Sequence, residues 1–589
     1  MSLRLFQEFS PITEEEWRRE AESALKGREI SSLHYSPEKN IHLKPWYAAK
    51  DVAEIAGQLS VVPGKFPFRR GNRFHAYGPG WQIVQEISAD QPAARQILQE
   101  TTNENPDAIS LSGYFRKPSS AETEPLLSLI DFSRTALHLD VAQKPVQTVL
   151  DLVKILLLRK MKRAQLTGSL YNDPISAAAI TGKAVHPVDM AHCEGGMING
   201  KNLPNFRTLG LDFSWVHEMG GTITQELAFA LAVVTDYLAF FEETQSPLSR
   251  EKILENIAVT FSVGSNFFME MAKLRAFRIL FAQLTLAWGE TNPDRQSPFL
   301  IARTSRQHLS LYDRHNNLLR GTTAALSAIS GGANAVIVTA FDRMKGPENT
   351  QSVRLSRNIQ LLLRHESYVG KVTDPGGGAW FPESLTDQLA EAAWNLFQKM
   401  EKLGGFTRMM AEGKILQLLE QSAGQSDIDF ATRKSVMVGV NQYPSQGETF
   451  PEVHTNEWLS PFEVLRLEMD KKSARTGRQP VAFLLGLGEG KMQNARKNFA
   501  RNLLGCLGIQ IAEEGEWEKI RPEVVVLCSS DAGYFSEGRE IIGKIRNEIF
   551  GARILIAGKP EGIEALGADD YLYAGMNALE FLQQLAATI

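Results

Sequence analysis

The sequence predicts an α/β protein in two parts, a (β/α)8 TIM barrel followed by a smaller flavodoxin-like doubly wound domain. Three observations carry this. Eight apolar or alternating runs lie between Trp81 and Ala340, each followed by a crossover stretch, and the span matches the roughly 250 residues of such a barrel. Five shorter β runs alternate with helices after residue 480, the order of a doubly wound sheet. At 589 residues the chain is also too long for one ordinary domain.

In chain order, the first element is an amphipathic helix from about Thr13 to Lys26, with Trp17, Ala21 and Leu25 on one face and acids in its first turn. Ser31–Arg73 is rich in Pro, Gly, His and Lys and has little periodicity. Because it also holds Trp46, Tyr47 and Phe66, residues 1–73 read as an arm laid over another surface, its own domain's or a partner's. Barrel strands are expected at Trp81–Ile87, Ala108–Gly113, Ala136–Leu139, Leu166–Tyr171, Thr208–Phe213, Ala258–Val263, Phe299–Thr304 and Ala335–Ala340. Helices such as Val146–Arg163, Thr222–Glu242, Asn266–Trp288 and Asn317–Gly331 lie between them, and more follow at Thr386–Lys402 and Phe406–Glu420. Asn441–Pro480 lacks periodicity and carries Pro444, Pro451, Pro461 and Pro480, so it reads as an irregular belt. The last domain runs through Val481–Leu487, Ile509–Ala512, Val524–Cys528, Ile554–Ile556 and Tyr571–Tyr573. The expected divisions are an arm at 1–73, a barrel at 74–385, a helical extension and belt at 386–480, and a final domain at 481–589.

With 43% hydrophobic and 22% charged residues the chain is an ordinary globular protein with ample core. A net charge of −5 gives no basic footprint for nucleic acid or anionic lipid. Cys193, Cys506 and Cys528 lie far apart, so no disulfide framework is expected and a reducing compartment fits. The N-terminus is too charged for a signal peptide, and no apolar run approaches the roughly 20 residues that span a bilayer. A cytoplasmic location with no membrane partner is the expectation.

Several segments carry candidate chemistry. His186, His192 and Cys193 offer metal-type ligands, but no pair has zinc-finger spacing and there is no Cys-x-x-Cys; a barrel-rim loop without metal is the preferred reading. Gly486-Leu-Gly488-Glu-Gly490-Lys491 sits between strand and helix as a phosphate loop would, yet Met492 stands where a P-loop needs Ser or Thr, which leaves a flexible turn. Asp374-Pro-Gly-Gly-Gly378 permits tight turns, and beyond it Glu383 and Asp387 could share a helix face. Helix capping at Ser384 accounts for that pair more economically than catalysis. Arg303, His308, Asp313, His315 and Arg320 cluster after a barrel strand, where the catalytic rim of such barrels lies, although Asn316 and Asn317 there also suit a turn and cap. Residue types alone lead to a barrel enzyme or a relic of one.

More is carried by Ala302-Arg-Thr-Ser305, Asp313-Arg-His-Asn-Asn-Leu-Leu-Arg320, Ala340-Phe-Asp342 and Glu383-Ser-Leu-Thr-Asp-Gln388, with Leu203–Thr222 and Glu226-Leu-Ala-Phe-Ala-Leu-Ala232 upstream. In these stretches, and in the order of arm, barrel, belt and last domain, the chain resembles the adenosylcobalamin-dependent acyl-CoA mutases, methylmalonyl-CoA mutase among them. The resemblance implies a CoA arm threaded through the barrel and a cobalamin-binding-type C-terminal domain, with the cofactor between the two.

The same resemblance implies that the reactive positions are lost. The family's Arg-Pro-Trp-x-x-x-Gln-Tyr reads Pro79-Gly80-Trp81-Gln-Ile-Val-Gln85-Glu86, which puts Glu86 at the aromatic beside the reacting carbons. Tyr171 replaces the substrate-binding glutamine, and an ungapped count puts Thr181 at the arginine that clamps the substrate carboxylate. Trp215 stands at the active-site histidine, with His217 two positions away. Thr339 and Arg343 replace the Asn and Glu that hold the adenosyl ribose. In the last domain the cobalt-ligating histidine of Asp-x-His-x-x-Gly aligns with Gln493, and no histidine follows His454. The motifs beside the cofactor's nucleotide tail become Ser529-Ser530-Asp531 and Gly558-Lys559; the expectation is a buried, unpaired Asp531 and a slot filled by Lys559.

Some members of this family are heterodimers in which a large catalytic subunit pairs with a smaller homologue that binds no cobalamin. In length and in its losses the chain resembles that smaller homologue. The expectation is a non-catalytic partner of a large mutase subunit, able to form a homodimer when isolated, with adenosylcobalamin held by the partner. Residues 1–73 and 441–480 are the expected subunit contacts. Two rivals are an active acyl-CoA mutase that binds cobalamin without a histidine, and a regulatory homologue that keeps CoA in the barrel. A filled barrel interior would reject the second of these, and an open tunnel would favour it.

Overall fold

A computed structural model describes residues 12–72, 80–112, 126–140, 144–346, 349–450, 458–488, 490–513, 515 and 517–589. Its centre is a closed barrel of eight parallel strands: β3 (Gln82–Ser88), β4 (Ala108–Ser112), β5 (Ala136–Asp140), β6 (Gly168–Tyr171), β7 (Phe206–Asp212), β8 (Ile257–Val263), β9 (Phe299–Thr304) and β10 (Ala335–Ile337). Every expected strand is present, and β10 closes the ring by pairing with β3 from Ala335↔Gln82 to Ile337↔Val84.

Alternation sorts each strand into two cores. Ile83, Leu209, Val259, Phe261 and Leu300 pack outward against the surrounding helices. Val84, Ala108, Ala136, Ile301, Ala335 and Ile337, from five different strands, meet in a separate cluster inside the ring. The helix Ile223–Glu243 is long and apolar enough to span a bilayer, which corrects the reading that no run comes close. It is a core helix here, with 78% of its apolar window buried.

The arm lies on its own barrel. Its hairpin, β1 (Tyr35–Glu38) and β2 (Ile41–Leu43), aims Glu38 at the N-terminus of helix Ile223–Glu243, where the carboxylate accepts from the N–H groups of Ile223 at 2.7 Å and Thr224 at 3.2 Å. Arg69 and Arg70 reach a buried knot with Glu383, Asp374 and Arg275, in which Arg69–Glu383, Arg70–Asp374 and Arg275–Glu383 are each 3.0 Å. Burial alone would raise the Glu383 carboxyl; Arg275, the Gly378 N–H and Arg70 overcome it and hold it at about 2. The expectation of a cap at Ser384 is therefore wrong: the helix starts at Trp380 and runs to Lys402, and Glu383 in its first turn anchors the arm. The first helix, Glu14–Ala24, buries none of its residues; it is capped by Thr13 and Glu16 and attached by a Trp17–Trp46 stack at 4.8 Å.

The belt also holds more structure than its prolines suggest. Helix Pro461–Thr476 starts at a capping box of Ser460 and Glu463, with Pro461 in the first turn, where a missing N–H costs nothing. Its buried face mixes Phe462, Leu467 and Met469 with Glu463, Arg466 and Asp470, so no clean apolar stripe announced it: Glu463 accepts from the Leu311 N–H at 2.6 Å, and Asp470 accepts from the Tyr312 hydroxyl at 2.6 Å. The last domain is a parallel sheet of β11 (Val481–Gly486), β12 (Gln510–Ala512), β13 (Val524–Cys528), β14 (Arg553–Ala557) and β15 (Asp570–Leu572), in the flavodoxin-like order β12-β11-β13-β14-β15.

Candidate functional site

The ends of the barrel strands deliver charged side chains to one mouth. Glu86 from β3 faces Arg303 from β9 at 3.4 Å and Arg306 at 3.6 Å, and Arg303 also holds Asp212 from β7 at 2.9 Å. Burial would raise the Glu86 carboxyl, but Arg303, Arg306 and Arg343 hold it down to about 2, so it is a fixed anion. Burial works against the Arg303 charge as well, yet Glu86 and Asp212 push its pKa upward. Tyr171 accepts a hydrogen bond from the Thr260 hydroxyl at 3.3 Å, and burial raises its phenol. Thr339 bridges the last two strands: its N–H donates to Thr304 Oγ1 at 2.9 Å and its hydroxyl to the Thr304 carbonyl at 2.9 Å.

Below this layer the interior is filled. Val84, Ala108, Ala136, Ile301, Ala335 and Ile337 are each at most 3% exposed, and Ser110, His138, Ser169 and Thr260 among them are buried too. His138 pairs with Ser169 Oγ at 2.8 Å, and burial, with Arg207 and Arg303 nearby, lowers its pKa to about 3. These buried side chains pack the barrel interior among the described residues, which counts against a CoA-holding homologue.

Of the six barrel positions singled out in the sequence, Glu86, Tyr171, Thr339 and Arg343 converge on the mouth and two do not. Thr181 ends an outer helix (Pro174–Thr181), exposed, its hydroxyl bonded to the Ala177 carbonyl at 2.9 Å. Trp215 is turned into the core behind the mouth, edge-on to Phe406 at 6.4 Å. Pro79 lies outside the described residues.

The suggested rim cluster separates into several networks. Arg303 belongs to the mouth, whereas the half-buried His308 lies beside His217 with ring centroids 5.5 Å apart, and loss of solvent lowers both to about 3. Arg320 donates to Ser310 Oγ at 2.8 Å, the Asp313 carboxylate accepts from Asn316 at 2.6 Å, and His315 stacks on Phe341 at 5.7 Å. His186, His192 and Cys193 lie on or beside a helix, Pro187–Gly200, not a rim loop, and His186 caps it through the Val188 N–H. Among the described residues no three His, Cys, Asp or Glu side chains are placed to hold a metal ion.

Sequence reasoning missed a buried triad behind the mouth. Lys273 lies 2.6 Å from both Glu226 and Glu270 and donates to the Ser262 carbonyl at 2.6 Å. Its signal was available: Glu226 heads a long apolar helical run and Glu270 and Lys273 stand three apart in another, and charges there need buried partners.

The crevice of the C-terminal domain is occupied by its own side chains. Arg496 crosses from the first helix to the Ser529 carbonyl at 2.7 Å and the Asp531 carboxylate at 2.5 Å, stacked over the Tyr534 ring at 5.0 Å. The buried Tyr534 hydroxyl donates to the Ala557 carbonyl at 2.7 Å and accepts from the Ser529 N–H at 2.9 Å. A Cβ on Gly558 would meet Arg496 at 3.4 Å and Tyr534 at 3.5 Å, so these two fill the slot that Lys559 was expected to fill; Lys559 is exposed. Asp531 is likewise not a buried orphan but 74% exposed and paired. Gln493 closes over Gly486, the last residue of β11.

A closed parallel barrel with charged loops at one rim and a flavodoxin-like domain behind it define a two-domain α/β protein built on the plan of a barrel enzyme. The chain belongs to the methylmalonyl-CoA mutase family, whose model matches residues 118–476. It is 29% identical to the methylmalonyl-CoA mutase small subunit of Porphyromonas gingivalis over 98% of both chains. It is 28% identical to the small subunit of Streptomyces virginiae, over 98% of this chain and 97% of that one. Against the methylmalonyl-CoA mutase of Rhizobium meliloti the identity is 27%, over 79% of this chain and 67% of the relative.

Proposed function

We propose that this chain is the non-catalytic small subunit of a heterodimeric methylmalonyl-CoA mutase. Its role is to pack against and stabilise a large subunit that holds adenosylcobalamin and interconverts succinyl-CoA and methylmalonyl-CoA. The observation that carries this reading is the mouth, where Glu86, Arg303 and Asp212 form an ion-paired chain in the space a substrate would need. The crevice adds independent support. With no histidine after His454 and Arg496 lying across Gly558, the residues present do not fit a histidine-ligated corrinoid with its tail in this domain. The match to small subunits over nearly the whole chain supports a large partner. Residues 35–72 are committed to their own barrel, which leaves the helix Glu14–Ala24, with none of its residues buried, as the part of the arm that meets the partner.

Adenosylcobalamin binding tests the proposal, measured by absorbance and calorimetry on the chain alone and after mixing with a large mutase subunit. No binding alone and one cofactor per heterodimer is the expected result. Stoichiometric binding by the isolated chain would overturn it in favour of an unusual active mutase.

A further inference from the structure

We propose that the buried triad behind the mouth keeps one proton at neutral pH, on Glu226, and that its release in alkali loosens the arm. Glu226 stands in helix Ile223–Glu243, and Glu270 and Lys273 in helix Phe267–Ala287, each at most 3% exposed. Two carboxyls share one ammonium, which lies 2.6 Å from Glu226 Oε2 and 2.6 Å from Glu270 Oε2. With both ionised, this dry interior would carry one negative charge too many.

The groups packed around the triad do not cancel that charge. From β8, the Ser262 carbonyl accepts from Lys273 at 2.6 Å, and the Phe261 ring lies 6.0 Å from the ammonium. His217 and His308, which meet Glu270 around Gly264, are neutral rings at pH 7. Arg320, whose charge reaches His308, is committed to Ser310, Asn317 and the Val438 carbonyl. Glu38, from the arm, adds a further carboxyl within reach of Lys273. Hydrogen bonding then decides where the proton sits. Glu270 Oε1 accepts from the Gly264 N–H at 2.9 Å and Oε2 has the ammonium beside it, whereas Glu226 Oε1 is buried with no partner. A proton on Glu226 removes the surplus charge and leaves Glu270 and Lys273 as an ion pair. Burial, opposed by Lys273 and helped by Glu270, pushes the Glu226 carboxyl up to about 8.

The arm feels this group through Glu38, which ties the hairpin Tyr35–Leu43 to Ile223 and Thr224 at the start of the same helix. Burial already raises the Glu38 carboxyl against its donors and Lys273. When Glu226 ionises, Lys273 faces three carboxylates instead of two. Helix Ile223–Glu243 is locked in the core, so the hairpin is the element that gives way.

Infrared difference spectra of the full chain, wild type against Glu226→Gln, test this. At neutral pH the wild type should show the carbonyl stretch of a protonated carboxyl that the variant lacks, fading as the pH rises through about 8. Glu226→Gln sets a carbonyl on Lys273 and an NH2 where the acid's O–H sits, so it should melt with the wild type at neutral pH. Glu270→Gln should melt well below both, because its one carbonyl cannot serve both Gly264 and Lys273. A raised carboxyl stabilises the fold fully below its ordinary value of 4.5, and that contribution is lost as the pH rises to about 8. The wild type's unfolding constant should therefore rise against that of Glu226→Gln by up to about tenfold per pH unit across this range. The depressed histidines act in the opposite direction but equally in both chains, so the ratio isolates Glu226. Hydrogen exchange of Tyr35–Leu43 at about pH 9, corrected for intrinsic rates, should be faster in the wild type than in Glu226→Gln. The proposal is overturned by an absence of the band, a flat stability ratio, a loss from Glu226→Gln as large as from Glu270→Gln, or equal hairpin exchange in the two chains.

Discussion

The barrel mouth and the C-terminal crevice are both filled, but by different means. At the mouth three strands each contribute one charge, so the Glu86–Arg303–Asp212 chain is held by the barrel itself, with Glu86 only 4% exposed. At the crevice one flexible side chain from a helix, Arg496, crosses to a partner, Asp531, that is 74% exposed. Removing one member of a buried ion network strands the others, whereas an exposed pair contributes little. In one domain the site has been built over by the scaffold; in the other it is covered by a side chain whose removal would leave the sheet intact.

Acid should separate the two regions most strongly. His138 is buried in the barrel and His217 and His308 are half-buried there, all three with pKa values lowered to about 3, and residues 481–589 contain no histidine. A depressed imidazole stays neutral in the folded chain while the unfolded chain binds a proton below about 6.5. The stability these groups contribute is complete above that pH and is lost as the pH falls toward 3. Each removes up to about 1.4 kcal/mol per pH unit within the window. Hydrogen exchange at pH 7.5 and pH 5, corrected for intrinsic rates, should show barrel peptides losing protection before those of residues 481–589. Equal losses in both regions would sink the distinction.

The next effect is at Glu86. Glu86→Ala leaves Arg303 and Arg306 buried or half-buried without their shared anion, and a loss of about 3–5 kcal/mol is expected in urea denaturation. A loss below about 1 kcal/mol would mean that the mouth network is incidental to the barrel's stability.

The barrel was legible in the sequence because its signal is repeated: eight runs with outward apolar residues, of which β8 is buried at every position. The mouth was legible only in pieces, Arg303 by its place after a barrel strand and Glu86 through a resemblance, since Glu86, Asp212 and Arg303 lie far apart in sequence and nothing in their own neighbourhoods marks them as partners. What was missed shares a physical cause. Helix Pro461–Thr476 interleaves Glu463, Arg466 and Asp470 with Phe462, Leu467 and Met469 on its buried face, and the arm packs through Arg69 and Arg70 on Glu383; polar burial blurs the periodic apolar trace. Pro461 was read as a breaker although it suits a helix's first turn, and Glu383 was put down to a helix cap at Ser384 although its partner Arg69 is some 300 residues away in the chain. Thr181 shows the limit of counting residues: an ungapped match placed on an outer helix a side chain expected at the mouth.

The smallest expected effect is at the crevice, and it decides what kind of closure that is. Arg496→Ala removes a pair with an exposed carboxylate and a cation–π contact over Tyr534, while Tyr534 keeps its hydrogen bonds to Ala557 and Ser529. The cost should be on the order of 1 kcal/mol. The Ser529 carbonyl that Arg496 served lies at the end of β13, beside the opened slot, where water can reach it. Urea denaturation measures the cost, and hydrogen exchange of the residues around Gly558 reports whether the slot has opened. A small loss with faster exchange there would establish Arg496 as a removable plug on an intact sheet. A loss as large as that of Glu86→Ala would mean that the last domain depends on its filled crevice as the barrel depends on its mouth, and that both sites have been absorbed into the structure.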